Sequence, residues 1–97
     1  LSSNRKFNSE YLTLFLHEKN NISPTLFAFS VSKKITKSAV LRNKLRRRSY
    51  SVVSKNINLI KEGFICFFVF KKGINNIKYV DLEKDILNLL SKSGVLI

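Results

Sequence analysis

The sequence predicts an α+β domain, a two-layer α/β sandwich in which a small mixed sheet of three to four strands is covered by helices. Three observations predict it. Residues 10–17 alternate apolar and polar with the period of a half-buried strand. Residues 38–55 and 80–92 carry apolar positions at helical spacing, with no Gly or Pro inside either stretch. Between them, Phe64–Phe70 is an uninterrupted apolar run of strand-forming residues. A chain of 97 residues is the size of one domain, and folding at that size buries roughly two-thirds of the unfolded surface. Neither a linker nor an internal repeat divides residues 1–97, so a single domain is expected rather than a two-domain enzyme.

The elements follow in order. In Glu10–His17, Leu12, Leu14 and Leu16 form the core face, while Tyr11, Thr13, Phe15 and His17 form the other. Turn formers fill residues 18–24. Residues 25–32 read as a second strand, with Phe27, Phe29 and Val31 on one face and Leu26, Ala28, Ser30 and Ser32 on the other. So short a connection predicts that these two strands pair antiparallel. From about Ser38 to Lys55, a helix carries a narrow apolar stripe of Leu41, Leu45, Ser49, Val52 and Val53. Arg42, Lys44, Arg46, Arg47 and Arg48 cover most of its remaining circumference. Like charges four residues apart repel, so this helix needs a sheet or an anion to hold it. Gly63 ends the next connection, and Phe64–Phe70 reads as a central strand buried on both faces. A short edge strand is expected at Ile74–Tyr79. The last helix, Val80–Lys92, buries Leu82, Ile86, Leu89 and Leu90. It places Asp81, Glu83 and Asp85 in its opening turns, where the helix dipole favours them, and stops at Ser93-Gly94.

Composition narrows the function. A hydrophobic share of 44% argues against disorder despite the charge. The longest apolar run is far below the roughly 20 residues that cross a membrane, so no membrane role is expected. The polar start Ser2-Ser3-Asn4 shows no secretory signal, and the lone Cys66 rules out an intrachain disulfide or a cysteine-rich zinc site. Both fit a reducing cytoplasm. Eighteen Lys and Arg against six Asp and Glu give a net charge of +12, which points to a polyanionic partner. Between Glu18 and Glu62 there is no acidic residue, whereas an ordinary solubilising surface mixes signs. The pattern describes a dedicated cationic face.

The segment Ser30–Arg48 concentrates that face. A strand delivers Lys33 and Lys34, Lys37 follows, and a helix opens with five cations in seven residues. Guanidinium forks clamp phosphates bidentately, and Asn43 can both donate and accept at a sugar or a base edge. The competing reading is a merely solvated basic face, which the length of the acid-free interval disfavours.

Ser30-Val31-Ser32-Lys33-Lys34, followed by Ala39-Val40-Leu41-Arg42-Asn43-Lys44-Leu45-Arg46-Arg47, resembles the bacterial ribonuclease P protein family. That family shows a strand ending S-x-K-K and then an RNR helix of the form A-V-x-R-N-R-x-K-R. Lys44 stands where the third motif position has Arg, keeping the charge and losing the fork. The resemblance covers about residues 5 to 95. It implies a fold of the ribosomal protein S5 second-domain type with a left-handed β-α-β crossover, an exception to the usual right-handed rule. It implies that Lys33, Lys34, Lys37, Arg42, Asn43, Lys44, Arg46, Arg47 and Arg48 bind the catalytic RNA subunit. It also implies a cleft on the sheet for the 5′ leader of precursor tRNA, with Mg²⁺ supplied by the RNA. At the chain start the sequence departs from the family pattern. Leu1–Phe7 leaves room only for a lead-in to the first strand, where members usually carry a helix with an R-x-x-F pattern.

For that cleft, Tyr11, Thr13, Phe15, Ser30 and Ser32 are the candidates. Aromatics on an open sheet stack single-stranded bases; alternatively, Tyr11 and Phe15 are covered by a helix or another segment. His17 has no Cys or paired acid nearby in sequence, Cys66 has no base partner, and Asp81, Glu83 and Asp85 fit dipole compensation better than a two-metal site. The chain alone is therefore expected to catalyse nothing and to act as a monomeric protein subunit of a ribonucleoprotein. The alternatives are a ribosomal or other structural RNA-binding protein, a DNA-binding module and a protein-only nuclease.

Overall fold

A computed structural model describes residues 5–19, 23–72 and 77–97. In chain order the elements are β1 (Arg5–Asn8), β2 (Leu12–Glu18), β3 (Leu26–Ser30), α1 (Ala39–Lys55), β4 (Phe64–Phe70) and α2 (Tyr79–Lys92), with a 3-10 turn at Ile57–Leu59. The strands form one mixed sheet in the order β1-β2-β4-β3. β2 lies antiparallel to β1 and to β4, and β3 runs parallel to β4. The α+β sandwich is as the sequence predicts, and β3-α1-β4 is the β-α-β unit that the family resemblance implies.

The antiparallel pairing of β2 with β3 does not form. The most apolar strand, β4, takes the place between them and is hydrogen-bonded along both edges. The connection from β2 to β3 spans the start of β4: the Lys19 amide donates to the Gly63 carbonyl (2.7 Å), and the Gly63 amide donates to the Ser23 carbonyl (2.8 Å). Gly63 reaches this position with φ of 95°, a conformation a side chain would strain. Asn20, Asn21 and Ile22 of the expected turn lie outside the described residues.

Three further expectations change. Arg5-Lys6-Phe7, read as a lead-in, is edge strand β1. β4 is buried on one face only. Cys66, Phe68 and Phe70 point into the core, while Ile65 and Phe67 remain 36% and 41% exposed, because both helices pack on the same side of the sheet. Of the expected edge strand at Ile74–Tyr79, residues 74–76 lie outside the described residues. Ile77 and Lys78 are not in a strand, and Tyr79 opens α2.

The inner face of the sheet is built from register. Leu14, Phe68 and Phe29 stand side by side across β2, β4 and β3, as do Leu16, Cys66 and Phe27. Phe68 stacks on Phe29 at 4.7 Å between ring centroids and 9° between planes. Leu45, Ser49, Val52 and Val53 of α1 and Leu82, Ile86, Leu89 and Leu90 of α2 close this layer. The Ser49 hydroxyl is satisfied by donating to the Leu45 carbonyl (2.8 Å).

Both helices have defined ends. The Ser38 hydroxyl accepts from the Leu41 amide (3.1 Å), the bond an N-cap makes to the third helical residue. After α2, the Val95 amide donates to the Leu90 carbonyl (3.0 Å) and the Gly94 amide to that of Ser91 (3.1 Å). This is the paired bonding of a Schellman stop, with Gly94 at φ 82° and Val95 buried beside it. For α1 packing outweighs repulsion. The i,i+4 cation pairs Arg42/Arg46 and Lys44/Arg48 cost about 0.2–0.5 kcal/mol each, whereas each fully buried aliphatic side chain contributes about 1.5–3 kcal/mol.

Two neighbouring substitutions measure the one-sided burial. Phe68→Ala should cost about 3–5 kcal/mol in urea unfolding, and Phe67→Ala, on the open face, only a small fraction of that. Equal costs would mean that β4 is covered on both sides. Burial also pushes the Cys66 thiol from 9.0 up to about 12. Between those values the unfolded chain has lost a proton that the folded chain keeps, so stability falls as pH rises, by up to about 1.4 kcal/mol per pH unit. Unfolding measured from pH 8 to 11 should show a steeper decline for the wild type than for Cys66→Ala.

Candidate nucleic-acid interface

The cations of the Ser30–Arg48 segment are carried by a turn and a helix that are bonded to each other. After β3, Val31 is buried and the chain turns, with the Ile35 amide donating to the Ser32 carbonyl (3.0 Å). Lys33, Lys34 and Lys37 project from this turn, all exposed. The turn is tied to α1 by Arg42, whose guanidinium donates to the Thr36 carbonyl (2.9 Å), and the Ser38 amide donates to the Thr36 hydroxyl (3.2 Å). Arg42 is thus half-buried and spends one donor on its own chain, leaving the rest of its fork for an anion. The Arg46 guanidinium donates to Asn43 Oδ1, which orients both side chains.

The helix divides its cations between two sides. At 100° per residue, residues two apart lie about 200° apart around the axis. Arg42 and Arg46 fall on the side that continues to Tyr50, which reaches the β3 edge: its ring meets Phe29 edge-on at 5.0 Å. Lys44 and Arg48 fall on the side facing α2, where they line a cleft with Leu41, Leu45, Ile77, Lys78 and Tyr79. Arg47 stands between the two sides, exposed. Asn43, next to Arg46, is also exposed. The five cations expected around the helix are thus sorted: Arg42 and Arg46 stand together, and Lys44 and Arg48 are set apart from them.

The outer face of the sheet is a second surface. Register aligns Lys6, Phe15, Phe67 and Ala28 in one row across it, and Asn8, Thr13, Val69 and Ser30 in the next. Phe15 is 42% exposed and lies 6.2 Å from Phe67 between ring centroids. Lys6 Nζ sits 5.8 Å from the Phe15 ring, within cation–π range. A hollow of about 330 Å³ is lined by Arg5, Lys6, Phe15, Leu16, His17, Ile65 and Phe67. Arg5, paired with Leu16, carries its guanidinium over the Phe7 ring (5.7 Å) on the other side of β1, so the cation beside the exposed rings is Lys6. Exposed rings with apolar walls and a cation are the chemistry on which single-stranded bases can stack.

Not every expected cleft residue is here. Thr13 and Phe15 are, with the Thr13 hydroxyl donating to Asn8 Oδ1 (2.8 Å). Ser30 shares the face but lies beyond β4, so it does not neighbour β2. Ser32 is in the turn after the sheet. Tyr11 precedes β2 and packs at the start of α2, in a hollow with Glu10, Asp81, Lys84, Asp85 and Asn88. Glu10 chiefly, then burial and Asp81, raise its phenol above the ordinary value. Arg5, Lys6, Ile65 and Phe67 were not foreseen. Lys6 and Arg5 carried no strand signal, and in a run that is apolar at every position the outward residues cannot be told from the inward ones.

The acidic start of α2 is engaged internally. Glu83 pairs with Lys55 at 3.0 Å, which raises the lysine's pKa through that hydrogen bond and charge. Asp85 accepts from the Ser9 hydroxyl (2.5 Å) and the Tyr11 amide (3.3 Å), fixing the β1–β2 turn to the helix. Among the described residues, no group of three or more His, Cys, Asp or Glu is placed to hold a metal ion, and no helix is long and apolar enough to cross a membrane.

Comparison with known proteins gives a consistent result. The sequence model of the family described as Ribonuclease P matches residues 1–94. A ribonuclease P protein component from Fusobacterium nucleatum is 32% identical over 95 residues, covering 94% of this chain and 84% of the relative. One from Clostridium botulinum is 32% identical over 92 residues, covering 94% and 81%. Among solved structures, the Staphylococcus aureus RNase P protein superimposes with a TM-score of 0.86 at 17% identity, covering 97% of this chain and 84% of that one. The Thermotoga maritima RNase P protein, solved with 1-(4-fluorophenyl)-2-thiourea, gives 0.84 at 20% identity, covering 93% and 86%.

The turn-to-helix tie separates two kinds of arginine. Arg47→Ala should weaken binding to a folded RNA evenly and lower the slope of log K against log salt by about one. Arg42→Ala should cost more affinity than Arg47→Ala, because it also frees the turn that carries Lys37. Equal losses from both variants in a salt titration would show that the Arg42–Thr36 bond positions nothing.

Proposed function

Because the chain belongs to the ribonuclease P protein family, whose members are the protein component of that ribonucleoprotein enzyme, we propose that it binds the catalytic RNA through α1 and the turn before it while the open sheet face holds the 5′ leader of precursor tRNA. The observation that carries this reading is the cationic helix pinned on one side of the sheet with an aromatic, unfilled face on the other. A single small domain then meets two RNAs at once.

On the first surface, Lys33, Lys34, Lys37, Arg42, Asn43, Lys44, Arg46, Arg47 and Arg48 neutralise phosphates of a folded RNA. Fixing them on a docked helix removes the ordering cost that a disordered basic tail would meet on binding. On the second, Phe15 and Phe67 stack leader bases, Thr13 and Ser30 offer hydroxyls to the same strand, and Lys6 takes a phosphate. Tyr11 and Ser32 have no part in that cleft. The phosphodiester is cleaved by RNA-bound Mg²⁺; the protein's share is electrostatic, lowering the Mg²⁺ needed to fold the RNA and hold its substrate. In this reading the protein works in the cytoplasm as a monomer within the ribonucleoprotein.

The test is cleavage of a precursor tRNA by a bacterial ribonuclease P RNA at low Mg²⁺, with and without the protein. Stimulation is expected, and its absence overturns the proposal. Phe15→Ala should weaken precursor binding by about 1–3 kcal/mol while leaving mature tRNA unaffected.

A further inference from the structure

The side of α1 that faces α2 is not accounted for by one RNA contact. Lys44 and Arg48 are set roughly opposite Arg42 and Arg46 around the helix. A phosphate strand lying along the Arg42 side therefore cannot also lie along theirs. With Lys78 they line a cleft of about 380 Å³, whose other walls are Leu41, Ile77 and Tyr79. Lys55, on the same side of the helix, is neutralised by Glu83. The side chains of Lys44, Arg48 and Lys78 make no hydrogen bond or ion pair among the described residues, so three like charges line one small cleft and repel. An anion at their centre relieves that repulsion. Tyr79 is held in place, with its hydroxyl 3.3 Å from that of Ser51 and Lys55 Nζ at 5.4 Å from its ring. The cleft thus combines a cationic rim with a fixed ring and aliphatic walls, on a scale that admits one nucleotide and excludes a duplex.

We propose that this α1–α2 cleft is a second contact site for the catalytic RNA, taking one unpaired nucleotide whose phosphate meets Lys44, Arg48 and Lys78 and whose base packs against Tyr79 and Ile77. RNA bases are available in this way in bulges and loops, where they are splayed out of the stack. The helix is then bivalent: its β3-side arginines grip one RNA segment and its α2-side cations another, so that the protein clamps two parts of the RNA fold. The proposal rests on the reading that α1 binds the catalytic RNA.

The experiment is backbone footprinting of a bacterial ribonuclease P RNA with the full chain, with the double variant Arg48→Gln/Lys78→Gln and with the double variant Arg42→Gln/Arg46→Gln. The wild type should protect two separate segments. Arg48→Gln/Lys78→Gln should lose protection at one short unpaired segment, keep the other, and lower the salt slope by about two, with an unchanged melting temperature. Arg42→Gln/Arg46→Gln should lose the other segment. Loss of the same nucleotides in both variants, or a footprint unmoved by Arg48→Gln/Lys78→Gln, overturns the second site and leaves the binding role of α1 intact. No wild-type footprint at all overturns both.

Discussion

Everything in this molecule depends on a helix with almost no charge balance being pressed onto a sheet by a narrow apolar stripe. Leu45, Ser49, Val52 and Val53 are the buried residues of α1, and the helix contains no acidic residue. By itself such a sequence is a poor helix in water, since its neighbours four apart repel and its apolar face is thin. Docked on Phe29 and Phe68 it becomes a rigid bar. The Ser38 cap and the Arg42 bond to Thr36 extend that rigidity back into the turn that carries three lysines. The cations therefore have fixed mutual positions before any partner arrives, and binding need not order them.

The same packing decides which side of the sheet stays open. Two helices are enough to cover one face of four short strands, and both lie on it. The apolar outward residues of β4 are left in contact with water beside Phe15. In a protein selected for solubility alone, that face would be polar, as antiparallel sheets with a solvated side normally are. Exposed rings bordered by Lys6, Thr13 and Ser30 are instead chemically matched to nucleotides, which present flat apolar bases on a charged backbone. The strand order contributes directly. With β4 at the centre, Phe67 lies beside Phe15, whereas a β2–β3 hairpin would have set Ala28 or Ser30 there.

Charge placement separates structural acids from the binding surfaces. Asp85 and Glu83 are used to hold the β1–β2 turn and Lys55 against α2. No carboxylate approaches the turn before α1 in sequence, since none lies between Glu18 and Glu62. A protein at +12 must still avoid mutual repulsion in its core. It does so by keeping Lys and Arg on the rim; among the described residues only Ser49 and Ser93 are buried polar side chains, each with a carbonyl to donate to.

What the sequence determined alone was whatever is encoded locally. The leucine face at positions 12, 14 and 16, the bounds of α1 near Ser38 and Lys55, the stop at Ser93-Gly94 and the cationic Arg42–Arg48 stretch follow from periodicity, caps and charge spacing, each of which acts over one or two turns of chain. The RNR-like motif added the family and with it the fold. Tertiary structure alone decided which strand stands between β2 and β3, that Arg5–Asn8 pairs at all, that Tyr11 turns to α2 instead of the open face, and that Ile65 and Phe67 stay in water. These are contests between partners distant in the chain: an apolar run fits a one-sided or a two-sided strand equally well until the helices choose a side, and they choose it by the area they bury together.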